Sequence, residues 1–182
     1  MKKRFPLILL SYCLLQAPLL ATSAQAQDQK IDAPNVVVIS PQLVTSGQPT
    51  AAALAKLKEQ GFDAVIYLAP TSVSDAVADE KAIVEKQGLR WVNIPINFQH
   101  PSASDFQQFV ETVKSMAGKK ILVHCQVNMR ASSMVFLYRS IVNKEAPEKA
   151  YESVIKVWSP GGIWKELITA QLAQHQIRFQ PY

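Results

Sequence analysis

The chain has 182 residues, 19 of them basic and 14 acidic, for a formal charge of +5. Three of the basic residues sit at the extreme N-terminus, in a segment that reads as a leader; without it 16 basic residues face 14 acidic ones, a net +2. That balance gives no argument for a nucleic-acid or other polyanionic partner, and about 156 residues beyond the leader suit one domain with a proper core.

Lys2, Lys3 and Arg4 precede a largely apolar run from Leu7 to Leu20, and Ala24-Gln25-Ala26 offers an A-x-A cleavage site before Gln27. This is the pattern of a secretory signal peptide. The apolar run falls short of the roughly 20 residues a membrane span needs. Residues 1–26 are therefore expected to be removed and residues 27–182 to form the domain, exported to a periplasm and not stably inserted in the membrane. Cys13 is a poor lipid-attachment site because bulky Tyr12 stands where a small residue is needed. Cleavage leaves Cys125 as the single cysteine, which has no partner for an internal disulfide in an oxidising compartment.

Along the domain, Val36–Ile39 reads as a first strand and Leu43–Pro49 as a second short strand ending in a turn. Thr50 is a cap for a helix over 51–60 that stops at Gly61, where a glycine ends helices well. Ala64–Leu68 is an apolar run expected to be a buried strand, and 74–87 has a helical pattern closed by Gly88. Trp91–Ile96 reads as a strand that Pro95 places at its end or at an edge. Ser102 or Ser104 caps a helix reaching Met116, with Phe106, Phe109, Val110 and Val113 on one face. Ile121–Val123 is the most apolar strand. A helix over 130–142 follows, with Ala131, Met134, Val135, Tyr138, Ile141 and Val142 on one face. Pro147 opens another helix, Ser159–Gly162 breaks it, and 163–173 forms the last. Strands alternating with helices predict an α/β fold with a mostly parallel sheet covered by helices.

The chemistry concentrates in Val123-His124-Cys125-Gln126-Val127-Asn128-Met129-Arg130-Ala131-Ser132. A strand delivers the thiol to its carboxyl end, the usual place for ligands in an open α/β sheet. The N–H groups of a curled loop from Gln126 to Ser132, backed by a helix start, can bind an anion and favour a thiolate. On this reading Cys125 is the nucleophile, Arg130 a planar fork for two anion oxygens, and His124 a supporting group that fixes the loop. His124 also has a plainer reading as a satisfied core histidine, and Arg130 as a solvated residue of a first helical turn. Arg139 is the other basic residue close to this element. Tyr151, Trp158 and Trp164 read as core aromatics before they read as a substrate wall. His100, His124, His175 and Cys125 do not make a metal ligand set, and no cofactor is implied.

The segment resembles the cysteine-dependent phosphatase superfamily, with its strand, His-Cys, loop, arginine and helix. It is closer to a bacterial phosphatase-like family related to the dual-specificity phosphatases. Ser46-Gly47-Gln48-Pro49, Gly61-Phe62-Asp63-Ala64-Val65-Ile66 and Asn93-Ile94-Pro95 carry that likeness over roughly residues 40–145. The resemblance implies a phosphatase-like hydrolase working on phosphomonoesters, a small anionic substrate or a protein, through a cysteinyl-phosphate.

Three departures bear on that expectation. The superfamily spaces cysteine and arginine by five residues, whereas four, Gln126 to Met129, intervene here, with Ala131 at the arginine position and Ser132 at that of the hydroxyl. Cys-x4-Arg is similar to the shorter loop of rhodanese-type sulfurtransferases. Asn128 stands near where a glycine is usual. The loop after the Ile-Pro strand, Asn97-Phe98-Gln99-His100-Pro101, lacks the aspartate that protonates the leaving group. His100 has the chemistry to replace it; Asp105 is a lesser alternative that reads more simply as a helix first-turn residue. Sulfur transfer through a persulfide, and a non-enzymatic module that binds an anion or a protein, stand as the competing functions.

Overall fold

The computed structural model describes residues 31–182; the expected leader, its cleavage site and Cys13 lie outside the described residues. Five strands form one sheet in the order β1-β2-β5-β3-β4. Strand β1 (Val37–Ser40) runs antiparallel to β2 (Leu43–Ser46). The other neighbours, β2 with β5 (Ile121–His124), β5 with β3 (Ala64–Tyr67) and β3 with β4 (Arg90–Asn93), are parallel. The expected mostly parallel α/β sheet is the fold found.

The interior strands β3 and β5 are buried along their whole length, which is why their sequences run apolar without alternating. Their side chains still divide by pleat. Val65 and Leu122 join Leu54, Leu57, Phe62, Val84 and Leu89 on one face. Ala64, Ile66, Ile121 and Val123 face the opposite core, with Phe109, Val135, Val154 and Ile168. The helix expected over 51–60 is shorter: α1 covers only Ala51–Leu54, with Thr50 capping Ala53 N–H, and then tightens into turns such as Gln60 N–H to Leu57 C=O, ended by Gly61 at φ 80°.

The segment 74–87 departs more. Only α2 (Glu80–Glu85) is helical, and 71–79 forms turns. Thr71, Ser72, Val73, Ser74, Asp75, Val77 and Asp79 are poor helix formers, and two carboxylates of this stretch, Asp75 and Glu80, are drawn into tertiary hydrogen bonds. Strand β4 is the expected edge strand, pairing with β3 alone.

Helix α3 (Ala103–Lys114) buries Phe106, Phe109, Val110 and Val113 and begins at a capping box. Ser102 Oγ accepts from Asp105 N–H, and an Asp105 carboxylate oxygen accepts from Ser102 N–H at 2.8 Å. Helix α4 (Met129–Leu137) continues as a π-helical turn (Tyr138–Val142). A single apolar face was the expectation for this helix, but every residue from Arg130 to Leu137 is buried. It lies between the sheet and the last two helices, α5 (Pro147–Ile155) and α6 (Gly162–Gln174), and so has no solvent side. No described helix is long and apolar enough to cross a membrane.

Replacing the cap by Ser102→Ala removes one of the two reciprocal bonds at the start of α3. The expected cost is about 1 kcal/mol, read as a lower midpoint in urea unfolding with an unchanged slope.

Candidate active site

The four parallel strands end on one edge of the sheet, and register sets what meets there. His124 is level with Ser46 on one side and Tyr67 on the other. The ladders run one step further: Cys125 N–H reaches Ser46 C=O at 3.3 Å, and Leu68 N–H reaches His124 C=O at 2.8 Å. The cysteine is thus held where β5 stops, with no exposed surface.

Beyond it the chain turns back against the segment after β2. Gln48 N–H donates to Gln126 C=O at 2.9 Å, and Asn35 Nδ2 donates to Val127 C=O at 3.0 Å. A trans peptide points its C=O and the next N–H in opposite directions, so anchoring the Gln126 carbonyl on Gln48 turns the Val127 N–H away from the β2 side, and Gly47 and Val127 form an isolated antiparallel bridge. Among the described residues, no backbone N–H from Gln126 to Ala131 donates a hydrogen bond within the geometric limits for one. They form a nest at the start of α4.

Two residues make this turn possible. A Cβ on Gly47 would stand 2.7 Å from Gln126 C=O and 2.9 Å from Pro34 Cβ, so the loop backbone can close onto this position only because there is no side chain. Asn128 takes φ 71°, the left-handed conformation that asparagine tolerates better than most residues. Its side chain donates to Asn35 C=O at 2.6 Å and to Thr45 Oγ1 at 3.0 Å. An asparagine near the usual glycine position therefore supplies the glycine's backbone angle and a tether as well.

Arg130 is 6% exposed, which removes the reading of a solvated first-turn residue. Nε donates to Ile96 C=O at 3.0 Å, Nη1 to Gln126 Oε1 at 3.3 Å, and the guanidinium lies 5.1 Å from the Phe98 ring centroid. Among the described residues no carboxylate pairs with it. A buried cation without an anion is costly, and here it adjoins a nest of unused N–H groups. Gln126 also donates from Nε2 to Asp75 Oδ1 at 2.7 Å, so its amide is strung between a carboxylate and the guanidinium.

Beneath the cysteine lies a second buried set. His124 Nε2 is 2.9 Å from Glu80 Oε1, which also accepts from Trp91 Nε1 at 2.8 Å, while Gln48 Nε2 donates to Oε2 at 2.7 Å. Burial alone would raise the Glu80 pKa, but the hydrogen bond and charge of His124, with the bonds from Trp91 and Gln48, outweigh it and hold the carboxyl below its ordinary value. An ionised carboxylate only accepts, so His124 carries a proton on Nε2. The Tyr67 ring stacks on His124 at 4.7 Å and 14°. Burial, then the charges of Glu80, Asp75 and Cys125, raise the Tyr67 phenol. His124 is thus tied to Glu80 through Nε2, while its buried Nδ1 has no hydrogen-bond partner among the described residues.

The remaining candidates scatter. His100 is exposed, and its ring makes no hydrogen bond among the described residues. Asp105 is committed to its capping box. Ser132 Oγ donates back to Met129 C=O at 3.2 Å. Arg139 lies away from the nest, its fork closed on both oxygens of Glu145 and on Ser153. Tyr151 is core, packed with Phe136, Phe179 and Tyr182. Trp164 is buried and holds Phe98 C=O at 2.9 Å, and Phe98, Trp158 and Trp164 form the cluster that backs Arg130. Sequence reading missed Glu80, Asp75 and Asn35. Glu80 left one signal, a carboxylate one helical turn before buried Val84; Asp75 and Asn35 left none.

Two outcomes follow from this geometry. Gly47→Ala is expected to push the loop off its ledge, with loss of anion protection of Cys125 against alkylation while the far-ultraviolet circular dichroism is kept. Glu80→Gln is expected to cost about 3 kcal/mol at neutral pH, because an amide cannot accept from all three donors. A depressed folded-state pKa stabilises above the ordinary glutamate value of about 4.3 and ceases to as pH falls through the folded value. The stability gap between wild type and Glu80→Gln should therefore narrow below about pH 4.3, as measured by denaturant unfolding at several pH values.

The comparisons agree with this plan. The DUF442 phosphatase candidate of Shewanella putrefaciens CN-32 is 31% identical, with a TM-score of 0.72, covering 79% of this chain and 94% of that one. TpbA of P. aeruginosa is 18% identical with a TM-score of 0.58, over 75% of this chain and 84% of its own. The catalytic core of the PP-IP phosphatase SIW14 of S. cerevisiae is 14% identical with a TM-score of 0.62, over 80% and 88%. These last two likenesses show the fold alone. No curated protein matches the chain. Residues 22–169 match the family described as a DSP-PTPase phosphatase fused to NAD+ kinase, and with a cysteine, an N–H nest and an arginine at the carboxyl edge of the sheet, this chain belongs to that cysteine-phosphatase family.

Proposed function

We propose that this protein is an exported cysteine-dependent phosphatase acting on phosphomonoesters through a cysteinyl-phosphate. The observation that carries the reading is the buried Arg130 guanidinium, unpaired with any described carboxylate, beside the unused N–H groups of 126–131 and directly after Cys125. A phosphoryl group supplies the missing anion. Its oxygens take the nest N–H groups and the guanidinium fork, and its phosphorus lies over the sulfur. The Cys125 thiolate attacks phosphorus, the ester oxygen leaves with its electron pair and a proton, and water then hydrolyses the phosphorus–sulfur bond. Because Cys125 has no exposed surface, some part of the cradle moves to admit the substrate; the 3.3 Å bond from Arg130 to Gln126 is a weak link that a phosphoryl oxygen can replace. His100, on the turn after β4 where sequence reading looked for the proton donor, is exposed and its ring makes no hydrogen bond among the described residues.

Cys125→Ser is expected to abolish hydrolysis of aryl phosphates. Arg130→Ala should lower it by at least about a hundredfold, in line with the loss of a transition-state donor, and phosphate should slow alkylation of Cys125 in wild type but not in Arg130→Ala. A serine variant as active as wild type would remove the mechanism. Intact alkylation protection without turnover would leave an anion-binding module in place of an enzyme.

The four-residue spacing between Cys125 and Arg130 favours a second reading, sulfur transfer through a Cys125 persulfide. Incubation with thiosulfate followed by intact-protein mass spectrometry tests it, with a one-sulfur adduct on Cys125 as the expected result on that reading. Export is proposed from the leader pattern of residues 1–26. The mature protein should begin at Gln27 and appear in the periplasmic fraction, as N-terminal sequencing of fractionated cells would report.

A further inference from the structure

We infer that Asp75, on the turns between β3 and α2, is the proton donor to the leaving group, an inference that rests on the phosphatase reading above. The loop after β4 that would hold an aspartate contains Asn97, Gln99 and His100 instead. Asp105, the nearest carboxylate along the chain, is held at the start of α3, where its Oδ2 accepts from Ser102 N–H and Ser102 Oγ. Asp75 reaches the same place from another strand. β3 is hydrogen-bonded to β5 and parallel to it, with Tyr67 level with His124, so the chain leaving β3 emerges beside Cys125. Asn93 holds this exit by donating to Tyr67 C=O at 2.9 Å and to Ala69 C=O at 2.8 Å.

The carboxylate itself is tied to the nucleophile loop. Gln126, the residue after the cysteine, donates to Asp75 Oδ1 at 2.7 Å and accepts from Arg130 Nη1 at 3.3 Å. Asp75 is exposed, and its Oδ2 makes no hydrogen bond among the described residues, so one oxygen is anchored and the other can meet an ester oxygen. The His100 ring has no such anchor.

The proton balance is complete with these groups. As the Cys125 sulfur forms its bond to phosphorus, the phosphorus–oxygen bond of the ester breaks and its electron pair stays on the leaving oxygen, which takes the proton of the Asp75 carboxyl. In the second step the Asp75 carboxylate takes a proton from the attacking water. The new oxygen–phosphorus bond expels the thiolate, and phosphate departs. Donor and acceptor roles of one carboxyl thus alternate, and neither step needs a co-reactant beyond water.

The test is a leaving-group series on the mature protein: 2,4-dinitrophenyl, 4-nitrophenyl, phenyl and alkyl phosphates, with wild type, Asp75→Asn, His100→Gln and Cys125→Ser. Asparagine keeps an oxygen to accept from Gln126, so the loop tether survives while the proton is lost. The expected result for Asp75→Asn is a fall of about a hundredfold on phenyl and alkyl phosphates, the low end of general-acid contributions. The dinitrophenyl ester, whose leaving group needs no proton, should change less than about threefold, giving a steeper dependence of rate on leaving-group acidity. An equal loss on every ester would make Asp75 a positioning residue for Gln126 and overturn the inference. So would a steepened dependence in His100→Gln with none in Asp75→Asn. Turnover lost in Cys125→Ser but unchanged in Asp75→Asn overturns the inference and leaves the phosphatase reading standing. Wild type without turnover that depends on Cys125 removes both.

Discussion

Successive peptide N–H groups converge on one point only when the carbonyls between them are held on the other side, and here two hydrogen bonds do that holding. Gln48 N–H takes Gln126 C=O, and Asn35 Nδ2 takes Val127 C=O. The first lays the loop against the segment after β2, which the bare Cα of Gly47 permits, and the second ties it to the stretch before β1. The Ser-Gly-Gln-Pro run is therefore the ledge on which the loop after Cys125 rests. Ser46 takes the cysteine N–H, Gly47 leaves room, Gln48 bonds the loop from its backbone and Glu80 from its side chain.

The second constraint is electrostatic. The site holds one buried carboxylate, Glu80, and one buried guanidinium, Arg130, and they do not neutralise each other. Glu80 is saturated by His124, Trp91 and Gln48 on the side of β5 beneath the cysteine. Arg130 is positioned only by neutral acceptors, Ile96 C=O and Gln126 Oε1, and by the face of Phe98. Neutral partners fix the plane of the guanidinium without cancelling its charge. Phe98, whose ring the guanidinium faces, is itself packed against Trp158 and Trp164.

Much of the scaffold was legible because it depends on local rules. The apolar runs became β3 and β5, Thr50 and Ser102 became caps, Gly61 and Gly88 took the positive φ that ends a helix, and Pro147 opened α5. The expectation failed where tertiary bonds compete with helix formation. Residues 71–79 remain in turns, with Asp75 held by Gln126 at 2.7 Å. The one-faced pattern expected of α4 missed that serines 132 and 133 are buried too, since a helix enclosed by sheet and helices has no outside for them. Tyr151, Trp158 and Trp164 look alike in sequence, yet Tyr151 packs on the C-terminal tail and the two tryptophans back the arginine.

By itself, the sequence determined that a thiol would stand at the carboxyl end of a buried strand, followed by a helix start and, after four intervening residues, an arginine. Those relations are set by neighbours along the chain, through strand and helix periods and backbone preferences. Only the tertiary structure decided which distant groups meet them. Asn35 lies 93 positions from Asn128, Asp75 lies 51 from Gln126 and Glu80 lies 44 from His124. Each pair is brought together by the β1-β2-β5-β3-β4 order, which sets β2 and β3 on either side of the strand that carries the cysteine. No spacing rule along the chain encodes that order, because the pairing of parallel strands is chosen by how the whole sheet buries its two faces.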